Sequence, residues 1–337
     1  MKRILVVEVN WLGDCVMTLP VFSAIKKEFP ASFLAVMVAG GMKDLFNANP
    51  FIDEVITFSE KDTHRGFISR IKFIGRLRRK NFDTVFFIHR SFTRMLLCFF
   101  AGIPRRIGYR RRKTSFLLSQ TVEPPRGGSL HRSGVYFRIF EAAGIKIGDT
   151  LPRFTLDERE SKAAAGLISR YKKSKRYLVV INPSSNWIMK RWPQDNFVEL
   201  INQLDDLDCL FLLIGATKDE TISSAVAKKV NQEVVNLCGR TSLNELAAIL
   251  GQADLVISSD SGPAHLAAAV GAPVLVLFGP TDAAITAPRG EKVFVIKGDS
   301  GCNIPCYKLA CDDSRCMKKI TPPVVAREVR RIVNQDG

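Results

Sequence analysis

The sequence predicts an α/β protein made of two doubly wound domains, and three observations carry that prediction. Short β-branched runs alternate with helical stretches along the chain, a pattern that calls for parallel strands joined by crossover helices. The alternation runs once, breaks between residues 148 and 175, and then starts again. At 337 residues the chain is long enough for two such units, each able to bury its own core. A hydrophobic content of 46% with 24% charged residues excludes a disordered, collagenous or polytopic membrane chain.

Residues 4–9 read as the first buried strand. A strand is the better reading there than a signal peptide, because Glu8, Asn10, Trp11 and Asp14 interrupt the apolar run and no small-residue cleavage site follows. Residues 16–28 read as a helix stopped by Pro30, followed by strands over 33–38, 55–58 and 84–88. Amphipathic spacing predicts helices over 67–77 and 135–143, with Gly127-Gly128-Ser129 as a loop before the latter. After the break, strands are expected over 177–181, 209–214, 255–258, 274–278 and 293–296. Helices are expected over 194–204, 242–250 and 265–270, and a last one over 323–333. The expected organisation is an N-terminal Rossmann-like domain over 1–160, a second over 175–320 and a closing helix within 321–337. The two would face a cleft, with ligands beyond the carboxyl ends of the strands. The longest apolar stretches, around 96–103 and 266–278, fall short of the roughly 18–20 residues a membrane span needs.

The charge is unevenly distributed. The chain carries 49 Lys+Arg against 33 Asp+Glu, a formal net charge of +16, and residues 61–113 alone account for +14 of it. Such a patch attracts polyanions: nucleic acid, an anionic membrane or a phosphorylated substrate. Arg76, Arg78, Arg79 and Lys80 suit a solvated helix face, whereas Arg105, Arg106 and Arg110–Lys113 crowd into a Gly/Pro-containing segment that reads as a loop. No nucleic-acid-binding motif accompanies them.

Three segments just after strands carry candidate chemistry. In Asn10-Trp11-Leu12-Gly13-Asp14, Gly13 permits a tight turn and Asp14 is either a helix cap or a general base. It is not a G-x-G-x-x-G fingerprint, so a nicotinamide cofactor gains no support. Ser258-Ser259-Asp260-Ser261-Gly262-Pro263-Ala264-His265 joins a strand to a small-residue helix whose N-terminal N–H groups suit a phosphate. Asp260 is expected to bind a hydroxyl or cap the turn, and His265 to donate to phosphate. Asn182-Pro183-Ser184-Ser185, then Lys190-Arg191-Trp192-Pro193, supply hydroxyls and a cation that also suit phosphate oxygens, although a polar turn with a surface Lys explains them equally well.

The ordered set Gly13-Asp14, Lys190-x-Trp192-Pro193, Asp260-Ser261-Gly262-x-x-His265 and Phe278-Gly279-Pro280-Thr281-Asp282 resembles the bacterial lipopolysaccharide heptosyltransferases, glycosyltransferase family 9, over nearly the whole chain. The resemblance implies the two-Rossmann GT-B fold and inverting, metal-independent transfer of heptose from ADP-L-glycero-D-manno-heptose to the lipopolysaccharide inner core, in the manner of the second-heptose enzymes. It implies Asp14 as the base, and Ser184, Ser185 and Lys190 on the donor phosphates. Asp260 would meet the heptose, with Ser261, Gly262 and His265 on sugar and diphosphate. Thr241 and either Asp219 or Glu220 would meet the adenosine, and Gly13, Arg110 and His131 the acceptor side. The acceptor is an anionic lipid A–Kdo/heptose core, which gives the basic patch a partner. A cytoplasmic monomer held peripherally at the inner membrane is expected, with no nucleic acid partner. Rival readings are a GT-B transferase with another donor or acceptor, a nucleotide-sugar epimerase, and a non-catalytic polyanion-binding protein.

Cysteine usage divides in two. Cys15, Cys98, Cys209 and Cys238 are scattered singly in apolar surroundings, as buried thiols are. Cys302-x3-Cys306-x4-Cys311-x4-Cys316 could instead make a structural zinc site or, less readily, an iron–sulfur site, although its spacing is not that of a zinc ribbon. No cofactor is expected for catalysis.

Overall fold

The structure is a computed structural model that describes residues 1–60, 62–125, 128, 130–172, 175–299, 301–306, 308 and 310–335. Lys61 of the basic segment, Gly127 and Ser129 of the expected loop, and residues 173–174 of the expected boundary lie outside the described residues. The chain forms two compact units, Met1–Pro152 and Arg153–Gly337.

Unit 1 is built on parallel strands β1 (Arg3–Val7), β2 (Phe33–Val38), β3 (Glu54–Thr57), β4 (Thr84–Phe87), β5 (Arg105–Tyr109) and β6 (Gln120–Val122), in the order β3-β2-β1-β4-β5-β6. Helices α1 (Leu12–Glu28), α2 (Lys43–Asn47), α3 (Phe67–Arg79), α4 (Phe92–Phe100) and α5 (Arg132–Glu141) connect and flank them. A parallel sheet covered on both faces needs strands that are apolar throughout, and Ile4–Val7 and Leu34–Val38 are accordingly buried at every position. Leu5, Val7, Met37, Ile56, Val85 and Phe87 from the strands pack with Phe73 and Leu77 of α3 and Met95 and Cys98 of α4.

Two elements here depart from the sequence reading. The segment expected as a basic loop contains β5: Ile107, Gly108 and Tyr109 are buried, and a side chain at Gly108 would press on Phe87 and Leu118. Arg106 does not end the strand, because its guanidinium is spent on main-chain carbonyls of Leu117 (2.7 Å) and Ile103 (2.6 Å). The apolar run around 96–103 belongs to α4, whose first turn is capped by the Ser91 hydroxyl accepting from Arg94 N–H.

Unit 2 repeats the plan. Parallel strands β7 (Tyr177–Asn182), β8 (Cys209–Leu213), β9 (Val234–Asn236), β10 (Leu255–Ser259), β11 (Val274–Phe278) and β12 (Val293–Lys297) take the order β12-β11-β10-β7-β8-β9. Read in chain order within the unit, this is the doubly wound order of unit 1 again. The helices are α6 (Glu158–Lys172), α7 (Gln194–Gln203), α8 (Glu220–Lys229), α9 (Leu243–Leu250), α10 (Gly262–Ala269), α11 (Ala283–Thr286), α12 (Arg315–Lys318) and α13 (Pro322–Gln335). Ser242 and Glu245 form a reciprocal capping box at the start of α9. Val179, Ile181, Phe211, Leu213, Ile257 and Leu277 meet Phe197 of α7 and Val325, Val329 and Val333 of α13 in one core. Trp192 is buried in it, its indole N–H donating to the Ile320 carbonyl at 2.7 Å.

Candidate active site

In a doubly wound sheet the crevice opens beyond the carboxyl ends of the two central strands, where the strand order reverses. In unit 1 those strands are β1 and β4, and in unit 2 they are β7 and β10.

The unit 2 cluster centres on Asp260, the residue after β10, which is 4% exposed. Its Oδ2 accepts from Lys190 Nζ at 2.6 Å, from Thr281 Oγ1 at 2.8 Å and from Thr286 Oγ1 at 3.2 Å. His265 Nε2 stands 3.9 Å from Oδ1, an ion-pair separation rather than a hydrogen bond. Burial alone would raise the Asp260 carboxyl, but His265 and the Lys190 ammonium outweigh it and hold the group well below the usual carboxylate range. Asn182, at the end of β7, donates through Nδ2 to Ser258 Oγ (3.1 Å) and Ser261 Oγ (3.0 Å), tying β7 to the turn after β10. That turn leads through Ser261 into α10, with Gly262 and Pro263 in its first turn. The arrangement combines an ionised carboxylate, a Lys ammonium and a helix N-terminus, the groups that bind a hydroxylated, phosphorylated ligand.

Ser184 and Ser185 follow β7 and are buried, and Ser184 Oγ donates to Asp219 Oδ1 at 2.7 Å. Of the two acids left open by the sequence, Asp219 therefore sits with Ser184, while Glu220 is exposed at the start of α8. Thr241 is half-buried just before the Ser242 cap. Thr286, which no sequence signal marked, joins Thr281 on Asp260 because the one-turn helix α11, capped by Asp282, folds it back.

In unit 1, Asp14 lies in the first turn of α1, half-buried. It is not the cap, a position taken by Trp11; instead its Oδ1 accepts a hydrogen bond from the Tyr136 hydroxyl of α5. Burial and the Asp14 carboxylate push the Tyr136 phenol far up, so it stays a donor. Sequence reasoning missed Tyr136, since nothing local relates residues 122 positions apart. Gly13 is half-buried beside Asp14. His131 caps α5, its Nδ1 accepting from Ser133 N–H at 3.2 Å. Arg110 is exposed after β5 and pairs with Glu123 at 2.7 Å.

Behind Asp14 lies a buried polar group. Glu8 is wholly buried, with Oε2 accepting from Val9 N–H at 3.1 Å and Oε1 without a hydrogen-bond partner among the described residues. Arg94 reaches the Glu8 main-chain carbonyl (2.8 Å) and Asn10 Oδ1 (2.8 Å) rather than the carboxylate. Burial pushes the Glu8 carboxyl up to about 8, and burial together with Arg94 pushes His89 down to about 4. Both are therefore neutral near pH 7.

The four late cysteines do not assemble a metal centre. Among the described residues no three His, Cys, Asp or Glu side chains converge as ligands would, so the expected zinc or iron–sulfur site is not supported. The reason is local. Cys302 and Cys311 are exposed, whereas Cys316 sits in α12 against Gly279. Burial, with Cys302 and Cys311 nearby, raises its thiol above the ordinary value.

The model of glycosyltransferase family 9 (heptosyltransferase) matches residues 70–314. This chain belongs to that family. The family 9 chain is 25% identical over 351 residues to lipopolysaccharide heptosyltransferase 2 of Escherichia coli strain K12, covering 99% of both chains. Among solved structures, it matches E. coli ADP-heptose lipopolysaccharide heptosyltransferase II with a TM-score of 0.85 at 25% identity, over 100% of this chain and 99% of the other. A family 9 glycosyltransferase from Veillonella parvula superposes with a TM-score of 0.90 at 20% identity, over 99% and 98%, which speaks for the fold. The two six-stranded parallel sheets are thus those of the GT-B-like heptosyltransferase structures. The protein is a glycosyltransferase, and the epimerase and binding-protein readings fall away as accounts of the whole chain.

Proposed function

We propose that this glycosyltransferase transfers heptose from ADP-L-glycero-D-manno-heptose to the inner core of lipopolysaccharide, with inversion and without a catalytic metal. The observation that carries the reading is the Asp260 cluster: an ionised carboxylate clamped by Lys190, Thr281 and Thr286 beside the N-terminus of α10. In this reading unit 2 holds the donor. Asp260 Oδ1 meets a heptose hydroxyl. The diphosphate is met by Lys190, His265, the Ser184 and Ser185 hydroxyls and the N–H groups around Ser261 and Gly262. Thr241 and the Asp219–Glu220 step serve the adenosine side.

Unit 1 serves the acceptor, with Gly13, Arg110 and His131 on that side. Asp14 takes the proton of the attacking hydroxyl as its oxygen bonds the anomeric carbon. The carbon–oxygen bond to the diphosphate breaks on the opposite face, which inverts the centre. The leaving ADP keeps the electron pair, and its charge falls on Lys190, His265 and α10. A monomer working peripherally at the cytoplasmic face of the inner membrane completes the reading. Similarity to heptosyltransferases 2 of several bacteria favours the second-heptose reaction.

Isothermal titration with ADP-heptose, ADP and UDP-sugars tests the donor. ADP-heptose binding that weakens in Lys190→Ala and Asp260→Ala, with Asp14→Ala keeping affinity but losing turnover, supports the reading. Preference for a UDP-sugar overturns the heptose assignment.

A further inference from the structure

Unit 1 exposes apolar side chains that neither its core nor its proposed site uses. On α3, Phe67 is 78% exposed, Ile68 70% and Ile71 51%, while the opposite face of the same helix buries Phe73 and Leu77. Along the outer stripe, Ile68, Ile71, Lys72, Arg76 and Arg79 follow one another at helical spacing, so the helix passes from apolar at its start to basic at its end. The patch continues onto α4. Arg78 Nη2 donates to the Phe100 carbonyl at 2.8 Å, and Arg106 lies 5.1 Å over the ring of Phe99, both rings being exposed. From there Phe92 meets Phe116, 70% exposed, at a ring separation of 6.4 Å, beside the exposed Arg110–Lys113 run. Among the described residues its acidic partners are few: Glu54 draws on Lys80 and more distantly on Arg76, Glu123 on Arg110, and Glu60 on the buried Arg94 of α4.

A soluble surface seldom carries so many large apolar groups together. The mixture selects the partner. Nucleic acid would account for the cations but not for Phe67, Ile68 and Ile71, and a second copy of this chain would bring like charge against like. A bilayer with anionic headgroups supplies phosphates for the cations and an acyl boundary for the apolar side chains at once.

We propose that the face formed by α3, α4 and the segment 105–116 docks on an anionic lipid bilayer, with Phe67, Ile68 and Ile71 entering its headgroup–acyl boundary. This deepens the peripheral membrane location proposed above, and it is tested apart from the chemistry. The full chain is sedimented with vesicles of phosphatidylcholine alone, or of equal parts phosphatidylcholine and phosphatidylglycerol, with no lipopolysaccharide present.

Binding is expected to the anionic vesicles and to weaken with salt. Replacing Phe67, Ile68 and Ile71 together by Ser should release the protein while leaving its ADP-heptose affinity unchanged. Arg76→Glu with Arg79→Glu should weaken binding by roughly fivefold or more per position. Wild type that ignores anionic vesicles, or a triple variant that binds as tightly as wild type, overturns the proposal. So does a concentration-dependent dimer that the triple variant abolishes, which would assign the face to self-association. Failure of ADP-heptose binding with vesicle binding intact would instead count against the donor reading alone.

Discussion

Glu8 gives the most quantitative prediction. Its carboxyl is wholly buried at the end of β1, one oxygen has no partner among the described residues, and Arg94 is turned to the main chain instead. Burial dominates; the Thr18 hydroxyl and Val9 N–H only partly offset it, so the folded pKa rises from 4.5 to about 8. Below pH 4.5 the folded and unfolded chains both hold the proton. Above it the unfolded chain releases the proton while the folded chain keeps it until about pH 8. Folding thus loses a little over about 1 kcal/mol per pH unit through this one group as pH rises, or about 2–3 kcal/mol between pH 5 and 7.

Glu8→Gln has nearly the same shape and no proton to lose, so its stability should lack that slope. Urea unfolding of both proteins, followed by circular dichroism between about pH 5 and 8, reads the difference. Other titrating groups and any fixed cost of the amide cancel from the change of that difference with pH. The variant should gain on wild type by about 2–3 kcal/mol from pH 5 to 7. Parallel curves would mean that Glu8 ionises in the fold, and the argument from its burial would fail.

Two further outcomes follow from the site. Tyr136→Phe removes the hydroxyl that donates to Asp14 and holds its side chain in place, so turnover should fall by about tenfold or more with ADP-heptose affinity unchanged. Turnover within about twofold of wild type would make Tyr136 a packing residue. At Gly279, a Cβ would overlap the buried Met317 side chain and crowd Cys316 Sγ, so Gly279→Ala should cost about 1–3 kcal/mol in thermal unfolding. It should also weaken donor binding, because Thr281 two residues on holds Asp260.

The strands were legible because parallel sheets leave a local signature. The runs at Tyr177–Asn182 and Val274–Phe278 are apolar almost throughout, and so are their environments. β5 was not legible, since Arg105 and Arg106 look like loop residues until the carbonyls that absorb Arg106 are in place. β9 (Val234–Asn236) and α8 were missed for the related reason that a three-residue edge strand and a polar helix carry little periodicity. Within the site, Asp260, Ser261 and His265 declared themselves by crowding around one Gly-Pro turn. Tyr136 and Thr286 did not, because their value arises only when α5 and α11 bring them to a carboxylate. The choice between Asp219 and Glu220 is of the same kind. Adjacent residues point differently from a turn, and only the fold tells which one meets Ser184.

The two units share one strand order yet arrange opposite electrostatics at equivalent places. Beyond β1 and β4, burial leaves Glu8 and His89 neutral, and the Arg94 guanidinium is engaged with Glu8 and Asn10 oxygens. Beyond β7 and β10, Asp260 stays ionised because Lys190 and His265 stand beside it, and α10 adds its N-terminal dipole. A diphosphate needs fixed positive groups that require no rearrangement when charge develops on the leaving oxygen. The second arrangement offers them and the first does not. What unit 1 offers instead is the Asp14 carboxylate, kept at the front of α1 by the Tyr136 phenol and backed by a neutral acid. The same burial that weakens the fold at high pH keeps Glu8 from placing a second negative charge behind Asp14. On the proposed reading, division of labour between the units therefore rests on where each buries its charges, since their topology is the same.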